Sequence, residues 1–357
     1  MDGANMYDTI ASWLEDEESR FIYKKRIEFN ESNNYGIFRE IVDKYVPEFI
    51  NNYYFPGKQM EIVKEVKGKR SIWIWGAGIR GRRIIDMLQN EHIGIEGVID
   101  RDETVANVMG IPVLHFDKVD FSKIDSLIIS MADKEVAEEC VSKAKLLGMC
   151  EKNIIVHRDY FSITLKNKQY FEEFIKYMEG EVFVDAGVLD LATSLRFAEN
   201  CIKNHISDFK IYAFEPDKNS YEKCRKVKEQ HPELKIKLVD YGLWSSDTVI
   251  GFDALQNGSS KINKESTDII KCVTLDSVIK ERVTFIKMDV EGAELEALRG
   301  GASIIRKYKP KLAISVYHKP EDIIEIPKYI KQLVPEYRLL LRHYSNGNAE
   351  TVLYALP

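Results

Sequence analysis

Two apolar runs that end in glycine, each followed by a helical pattern, constrain the fold of this chain more than any other feature. The first run is SIWIWGAG, which begins at Ser71, and the second is EVFVDAG, which begins at Glu181. Each run is continued by an alternation of short apolar strands and amphipathic helices. Because parallel strands are joined by crossover connections that usually contain a helix, this alternation predicts a parallel sheet with helices on its faces. The sequence therefore predicts two doubly wound, Rossmann-like α/β domains in one chain.

Three parts follow one another along the predicted chain. Residues 1–68 are polar with apolar residues at helix spacing, and they predict a helical N-terminal segment. Residues 69–157 predict a first Rossmann-like domain of the nucleotide-binding type. Residues 158–357 predict the second domain, which is opened by a connecting helical segment over residues 158–178. It is closed by YRLLLRHY and ETVLYALP, two strands expected to pair as an antiparallel hairpin.

Composition and charge exclude several classes of protein. Among the 357 residues, 51 Lys and Arg stand against 57 Asp and Glu, which gives a net charge of −6. Proteins that hold polymeric nucleic acid usually carry a basic excess, so nucleic acid is not an expected partner. No apolar run approaches the ~18 residues that span a bilayer, and the N-terminus lacks the basic-then-apolar order of a signal peptide. Because the five cysteines form no CxxC pair, we expect a reduced, cytoplasmic protein.

The first glycine loop has the G-x-G-x-x-G pattern. Gly76, Gly78 and Gly81 stand between a predicted strand and a predicted helix, and Asp100 ends the next strand. Glycines there let backbone N–H groups approach a pyrophosphate, and the acid would accept hydrogen bonds from a ribose. A tight strand-to-helix turn also favours glycine without any ligand, so a bound nucleotide and a structural turn are alternative interpretations. A nicotinamide-dependent oxidoreductase would need a catalytic constellation downstream, and the sequence offers none.

The second series resembles the FkbM family of S-adenosylmethionine-dependent methyltransferases over about residues 180–357. The segments that carry the likeness are FVDAGVLD, AFEPDKNSYEK, DYGLWSS, FIKMDVEGAELEALRGG and ISVYHKPED, of which KMDVEGAE is the most specific. The resemblance implies a class I methyltransferase fold, in which an open parallel sheet ends in one antiparallel hairpin. It also implies O-methylation of a hydroxyl on a sugar or secondary metabolite, with S-adenosylmethionine as cofactor and a small molecule or carbohydrate as acceptor.

The resemblance also implies a set of cofactor-binding residues. Asp185 and Gly187 match the acid and glycine that pass beneath the methionine part, and Glu215 matches the acid that holds the ribose hydroxyls. Asp240 ends a later strand, where the adenine edge is expected, with a structural turn as the alternative. The loop departs from the family pattern at Leu191, where a small residue is usual. Its side chain would either crowd the cofactor or turn toward the sheet.

Candidates for chemistry lie at two further strand ends. A hydroxyl acceptor needs a base, and His318, at the end of KLAISVYH, is the candidate, with a surface histidine as the alternative. Three carboxylates follow another strand. Asp289 is a candidate for catalysis, and Glu291 and Glu294 are candidates for binding acceptor hydroxyls. Alternatively, the three carboxylates would hold Mg²⁺ together. Capping of the following helix is their structural role. A non-catalytic nucleotide- or sugar-binding protein on a degenerate methyltransferase fold is the second hypothesis, prompted by Leu191.

Overall fold

The computed structural model describes residues 3–34, 36–45, 62–102, 104–131, 134–157, 168–253, 261–262, 269–345 and 347–357. Its helices are α1 Gly3–Trp13, α2 Glu17–Ser32, α3 Ile37–Tyr45, α4 Ile79–Asn90, α5 Lys134–Leu146, α6 Ala192–Lys203, α7 Lys218–Gln230, α8 Leu275–Val278, α9 Glu294–Gly300, α10 Ala302–Tyr308 and α11 Asp322–Leu333. Within the described ranges, none of the helices has the length and apolarity that crossing a membrane would require.

The chain divides into two compact units. The larger unit comprises Met1–Asn33 and Thr164–Pro357, and the smaller unit comprises Asn34–Ile163. The strands of the smaller unit are β1 Ile72–Trp75, β2 Gly97–Ile99, β3 Asn107–Val108, β4 Ile111–Leu114, β5 Ser126–Ile129 and β6 Ile154–Val156. Those of the larger unit are β7 Glu181–Ala186, β8 Phe209–Phe214, β9 Ile236–Val239, β10 Gly242–Leu243, β11 Thr248–Asp253, β12 Lys261–Ile262, β13 Ile269–Val273, β14 Phe285–Met288, β15 Lys311–Ser315, β16 Arg338–His343 and β17 Thr351–Leu356.

The smaller unit is built on a sheet in the order β3-β4-β2-β1-β5-β6. All its pairs are parallel except β3 with β4. The order reverses beside β1, as it does in a doubly wound sheet. The sequence pattern predicted β1, β2, β5 and β6 but not the β3–β4 hairpin, because strands of two and four residues are too short to show a period. The hairpin turns through Met109 and Gly110, both with positive φ, which is the geometry of a tight type I′ turn.

The larger unit contains the sheet order β16-β17-β15-β14-β7-β8-β9. Strand β17 runs antiparallel to both of its neighbours, and every other pair in this sheet is parallel. This is the parallel sheet with a closing hairpin that the sequence predicted. Its core is aromatic: Phe183 of β7 stacks on Phe197 of α6 at 4.3 Å between ring centroids, and Phe285 of β14 is equally buried. Strands β10, β13, β11 and β12 form a separate small sheet.

The first two helices belong to the larger unit rather than to a separate N-terminal segment. Asp16 caps α2 by accepting a hydrogen bond from the Ser19 backbone N–H at 2.8 Å, and its carboxylate pairs with Arg342 of β16 at 2.6 Å. The residues of α2 that face inward include Ile22 and Phe29, both buried. Helical periodicity shows that a helix has a buried face, but it does not identify the element that covers this face.

The predicted connecting helix over residues 158–178 is not formed in its described part. Residues 158–167 lie outside the described ranges, and residues 168–178 are turns and irregular backbone. The Tyr170 backbone N–H donates to the Tyr354 hydroxyl at 2.9 Å instead of to a helical carbonyl, and its φ is +71°. Phe171 and Ile175 are buried in the core of the larger unit. Tertiary burial of these aromatic and aliphatic side chains therefore overrides the helical pattern of the segment.

Candidate functional site

A cavity of about 560 Å³ opens at one edge of the large sheet. Its wall comes from the ends of β7, β8 and β14, from the segment after β15 and from the residue before β17, together with part of the small sheet. This is the carboxyl edge of the parallel strands, where doubly wound sheets bind ligands, and the volume lies within the ~300–1,000 Å³ typical of small-molecule sites. The polar side chains on its wall include Tyr170, Arg196, Glu215, Asp289, Glu291, Tyr317 and Glu350.

The loop after β7 approaches the loop after β14 so closely that only glycine fits at Gly187. Its φ is +77°, and a Cβ there would lie 1.9 Å from the carbonyl oxygen of Asp289. Leu191 also has a left-handed backbone, with φ +63°, but its side chain is fully buried in the hydrophobic core of the larger unit. Leu191 is not part of the cavity wall. Of the two alternatives that the sequence left open, the side chain therefore turns away from the cavity.

Asp185 lies beneath this loop rather than in the cavity wall, where the sequence placed it. It is fully buried, accepts a hydrogen bond from the Ser194 hydroxyl at 2.7 Å and pairs with the Lys287 ammonium at 3.0 Å. Lys287 also donates to the carbonyl oxygens of Ala186 at 3.1 Å and Gly187 at 2.7 Å. The lysine thus fixes the loop backbone from below through two hydrogen bonds, and the aspartate balances its charge.

Glu215 lines the cavity as predicted from the sequence. One carboxylate oxygen accepts the Leu189 backbone N–H at 2.9 Å, and the other accepts the Asp217 backbone N–H at 2.9 Å. Burial raises the pKa of Glu215 above its ordinary value, and the two N–H donors oppose this rise. Asp240 is exposed and is not part of the wall, although its neighbour Tyr241 is. The position of Asp240 agrees with its structural interpretation, as a residue of the turn after β9.

Arg196 lines the cavity, although it was not a predicted site residue. One guanidinium nitrogen donates to the Thr193 hydroxyl at 3.2 Å, while Nη1 is buried and has no hydrogen-bond partner among the described residues. Its spacing, one helical turn after Ala192 and Thr193, is the signal that could have indicated it, since all three line the cavity. A buried cationic donor without an acceptor favours an anionic group in the cavity.

Asp289, on the loop after β14, is held by two tyrosine hydroxyls. Tyr170 donates to one carboxylate oxygen at 2.8 Å, and Tyr317 donates to the other at 3.0 Å. Burial alone would raise the pKa of Asp289, but Lys287, His318 and the two hydroxyls outweigh it and lower this pKa below its usual value. Asp289 is therefore ionised at neutral pH. Neither tyrosine was a predicted site residue, and Tyr170 stands in the segment that was expected to be helical.

His318 lies behind the cavity wall and not in it. Its side chain is 10% exposed, with Nδ1 2.9 Å from an oxygen of Glu294 and Nε2 3.5 Å from oxygens of Asp289 and Glu291. Burial lowers the pKa of His318, but the pairing with Glu294 and the charges of Asp289 and Glu291 overcome this and raise it to about 9. A histidine that is protonated at neutral pH and does not reach the cavity is poorly placed to act as the predicted base.

Two further carboxylates on the wall lie on left-handed backbone. Glu291 has φ +53° and Glu350 has φ +66°. Leu189 and Tyr170, which line the same cavity, also have positive φ, at +54° and +71°. Burial raises the pKa of both glutamates to about 7, and Gln169 donates a hydrogen bond to Glu350. Such backbone conformations cost ~1–3 kcal/mol each outside glycine and cluster where a function requires them.

The structure thus sorts the predicted site residues of the larger unit into three sets. Gly187, Glu215, Asp289 and Glu291 line one cavity. Asp185, Glu294 and His318 lie directly behind its wall, and Asp240 lies outside it.

The glycine loop of the smaller unit is held by the backbone and the side-chain carboxylate at the end of the adjacent strand β2. A Cβ at Gly81 would lie 1.8 Å from the carbonyl oxygen of Gly76, which explains the third glycine as close helix-to-strand packing, whereas Gly78 has open space around it. The Asp100 carboxylate accepts hydrogen bonds from the Ala77 backbone N–H at 2.7 Å and from the Asp102 backbone N–H at 3.0 Å. These contacts are those of the structural turn, and a nucleotide at this loop stays a prediction.

Comparison with known protein families and curated sequences identifies two segments of the chain. Residues 191–344 match the family model described as "Methyltransferase FkbM domain", and residues 68–155 match the one described as "C2185-like, N-terminal". The hexuronic acid methyltransferase AglP of Haloferax volcanii is 29% identical to this chain over 136 residues, which are 36% of the chain and 54% of AglP. The chain therefore spans about half the length of this curated relative.

A solved structure has the same fold. The crystal structure of the methyltransferase FkbM from Methylobacillus flagellatus KT matches over 90% of this chain and 98% of that chain, with 17% identity and a TM-score of 0.51. At this identity the likeness concerns the fold alone. The predicted α/β fold class is confirmed, and so is the prediction of an FkbM-type methyltransferase domain in the C-terminal half.

Proposed function

We propose that this chain, which carries an FkbM methyltransferase domain over residues 191–344, transfers the methyl group of S-adenosylmethionine to a hydroxyl of a sugar or secondary metabolite. One observation carries the proposal. A single cavity joins the glycine loop and the strand-end acid, Gly187 and Glu215, to a wall of polar side chains around Asp289. Methyl transfer needs donor and acceptor in line within one enclosure, and such positioning supplies on the order of 7–11 kcal/mol of the barrier.

The charges on the cavity wall suit this cofactor. S-adenosylmethionine carries a sulfonium, an α-ammonium and one α-carboxylate, so it presents two positive groups and one negative group. The wall contains several carboxylates, among them Asp190 and Glu215, and the cations Arg196 and Lys287. Because Lys287 donates to two loop carbonyls and is paired with Asp185, Arg196 is the cation on the described wall with a buried nitrogen that has no hydrogen-bond partner. We assign the α-carboxylate to Arg196.

Glu215 keeps enough acceptor capacity for a ribose. An ionised carboxylate has about four lone-pair sites, and two are used by backbone N–H groups of the loop. The two that remain match the two ribose hydroxyls. The bonds to the loop also fix the orientation of the carboxylate before the cofactor arrives.

The acceptor end of the cavity favours a neutral molecule with several hydroxyls. Asp289, Glu291 and Glu350 bring carboxylates to this end, and Tyr170 and Tyr317 bring hydroxyls. Carboxylates bind hydroxyl donors well and repel an anion, so we propose a neutral sugar-like acceptor and not a hexuronic acid, the substrate class in the name of AglP. Glu350 replaces His318 as the group that takes the hydroxyl proton, because it lines the cavity and its pKa is raised to about 7, whereas Asp289, whose pKa is lowered, binds and orients the hydroxyl.

The rival hypothesis of a non-catalytic binding protein rested on Leu191. It required this side chain to crowd the cofactor, whereas the side chain is buried in the core. The observation that prompted the hypothesis of a degenerate, non-catalytic site therefore no longer supports it.

Calorimetric titration of the full chain with S-adenosylmethionine tests the cofactor assignment without an acceptor. Saturable binding is expected, and no binding at millimolar cofactor would overturn the proposal. Transfer of a labelled methyl group should then be measured on a panel of neutral sugars and the matching uronic acids. We expect turnover with members of the neutral set, and turnover confined to uronic acids would contradict the acceptor class. Titration with nucleotides in the same cell tests the predicted ligand of the smaller unit.

A further inference from the structure

We propose that Asp289, Glu294 and His318 form a site for a divalent metal ion behind the acceptor end of the cavity. Each of the three offers one ligand atom, and these atoms lie within 4.8 Å of one another. Asp289 follows β14, Glu294 opens α9, and His318 follows β15, which pairs with β14. The spacing of the three side chains is therefore set by neighbouring strands of the central sheet and not by mobile surface loops.

Glu294 has a buried oxygen that the protein leaves without a partner. The side chain is fully buried, and Oε1 accepts the Val290 backbone N–H at 2.9 Å and lies 2.9 Å from Nδ1 of His318. Oε2 makes no hydrogen bond within the described structure. An unsatisfied buried polar atom costs about 1–3 kcal/mol, and more when it is charged, so such an oxygen calls for a cation.

His318 supplies the second, independent indication. Its side chain is nine-tenths buried, and neither ring nitrogen makes a hydrogen bond of good geometry with any described residue, although carboxylate oxygens lie 2.9–3.5 Å away. A ring with carboxylate oxygens close by but no well-directed hydrogen bond has the surroundings of a metal ligand, and a bound ion would take the place of the proton that the ring carries at neutral pH without it. Glu291, whose oxygen lies 3.5 Å from Nε2, stands next to the group.

The donor set favours a first-row transition ion over Mg²⁺, which was one of the alternatives for these carboxylates in the sequence. Mg²⁺ prefers oxygen ligands only, which Asp289, Glu291 and Glu294 would have provided. In the structure His318 takes the place of Glu291 in the group, so the set is one imidazole and two carboxylates. Imidazole suits Zn²⁺ and carboxylate suits Mn²⁺, and a mixed set accepts either. We therefore expect Mn²⁺ or Zn²⁺.

The role of the ion rests on the proposed function, whereas its binding does not. Asp289 both belongs to the group and lines the cavity, so an ion there would stand next to the acceptor. A Lewis acid in that place lowers the pKa of a coordinated hydroxyl and orients it toward the methyl donor.

Metal binding can be measured on the full chain without an acceptor. After dialysis against chelator, titration with Mn²⁺ followed by electron paramagnetic resonance, and with Zn²⁺ followed by calorimetry, should show one ion per chain. Glu294→Gln and Asp289→Asn should each weaken binding at least ten-fold. Glu296→Gln, on the same helix but paired with Arg299 at the surface, is the matched control and should bind as the wild type does.

The outcomes separate this inference from the proposed function. If the wild-type chain takes up neither ion, or if Glu294→Gln binds as tightly as the wild type, the group is an ionic network of histidine and carboxylates and the metal proposal is overturned. Should a variant fail to fold, the wild-type titration alone still decides whether the site exists. Binding of S-adenosylmethionine is measured on the same samples, so metal uptake without cofactor binding would contradict the proposed function and leave the metal site standing.

Discussion

The two glycine loops of this chain are built by the same local device and yet differ in what surrounds them. Each follows a buried strand at the centre of a parallel sheet, and each is held by an acid from the end of the adjacent strand. Asp100 accepts two backbone N–H groups, one of them from Ala77 in its loop, and Glu215 accepts two, one of them from Leu189 in its loop. A strand-end acid next to a glycine loop is therefore first a structural cap, and only its surroundings make it a ligand site.

The two loops differ in the charged groups that surround them. Strand β1 ends in Trp75, which packs against Phe116 and Phe121. Strand β7 instead carries Asp185, which forms a fully buried pair with Lys287 beneath the loop. The second loop also borders a cavity whose wall carries acids and tyrosines from β14, β15 and the β16–β17 hairpin. The following predictions test whether this difference in surroundings is what makes the second loop functional.

The largest expected effect concerns the buried pair under the second loop. Lys287→Met should lower the free energy of unfolding by about 3–5 kcal/mol, because it leaves the Asp185 carboxylate buried and uncompensated. Urea unfolding followed by circular dichroism measures the loss. The double variant Asp185→Leu/Lys287→Met should recover most of the stability, since a buried ion pair can be replaced by apolar side chains. A double variant as unstable as Lys287→Met would show that the loop backbone depends on the ammonium itself.

At Leu191, burial of the side chain stabilises the fold, whereas the left-handed backbone destabilises it. Leu191→Ala should cost about 2–5 kcal/mol, as large-to-small changes in cores do. Leu191→Gly removes the same side chain but relaxes the left-handed backbone at φ +63°, so it should be about 1 kcal/mol more stable than the alanine variant. Unfolding in urea compares the two. An alanine variant that is the more stable one would contradict this account of the loop.

The sequence predicted the sheet that carries the site better than it predicted the side chains that line the cavity. The parallel sheet with its closing hairpin and the positions of Gly187 and Glu215 followed from apolar runs that end in glycine or acid, because a parallel sheet brings these ends to one edge. Tyr170 could not be found, since its segment leaves the helical pattern only when its neighbours are buried in the core. The proton state of His318 could not be found either, because it depends on three carboxylates from another strand end.

A matched pair of variants tests whether the two strand-end acids differ in function. Glu215→Gln removes the charge that faces the ribose, and hydrogen bonds to charged groups are worth about 1.5–3 kcal/mol, so affinity for S-adenosylmethionine should fall ten-fold or more. Asp100→Asn makes the same change at the cap of the first loop and should leave this affinity as it is. Calorimetry on both variants gives the two dissociation constants. Equal weakening by both variants would mean that neither acid contacts the cofactor directly.

The smallest expected effect tests Arg196, the cation on the helix after the second loop whose buried Nη1 has no hydrogen-bond partner among the described residues. If its guanidinium binds the α-carboxylate, Arg196→Gln should weaken S-adenosylmethionine binding about ten-fold, which corresponds to ~1.4 kcal/mol for one charged hydrogen-bonded contact. Decarboxylated S-adenosylmethionine has no such group, so the wild type should bind it more weakly than the cofactor, and Arg196→Gln should bind both equally. Arg225→Gln, in an exposed ion pair on α7, is the control and should keep the preference of the wild type. If Arg196→Gln still preferred the cofactor over its decarboxylated form by the wild-type factor, the carboxylate would have to lie elsewhere on the wall, and the unpartnered Nη1 would face the acceptor instead.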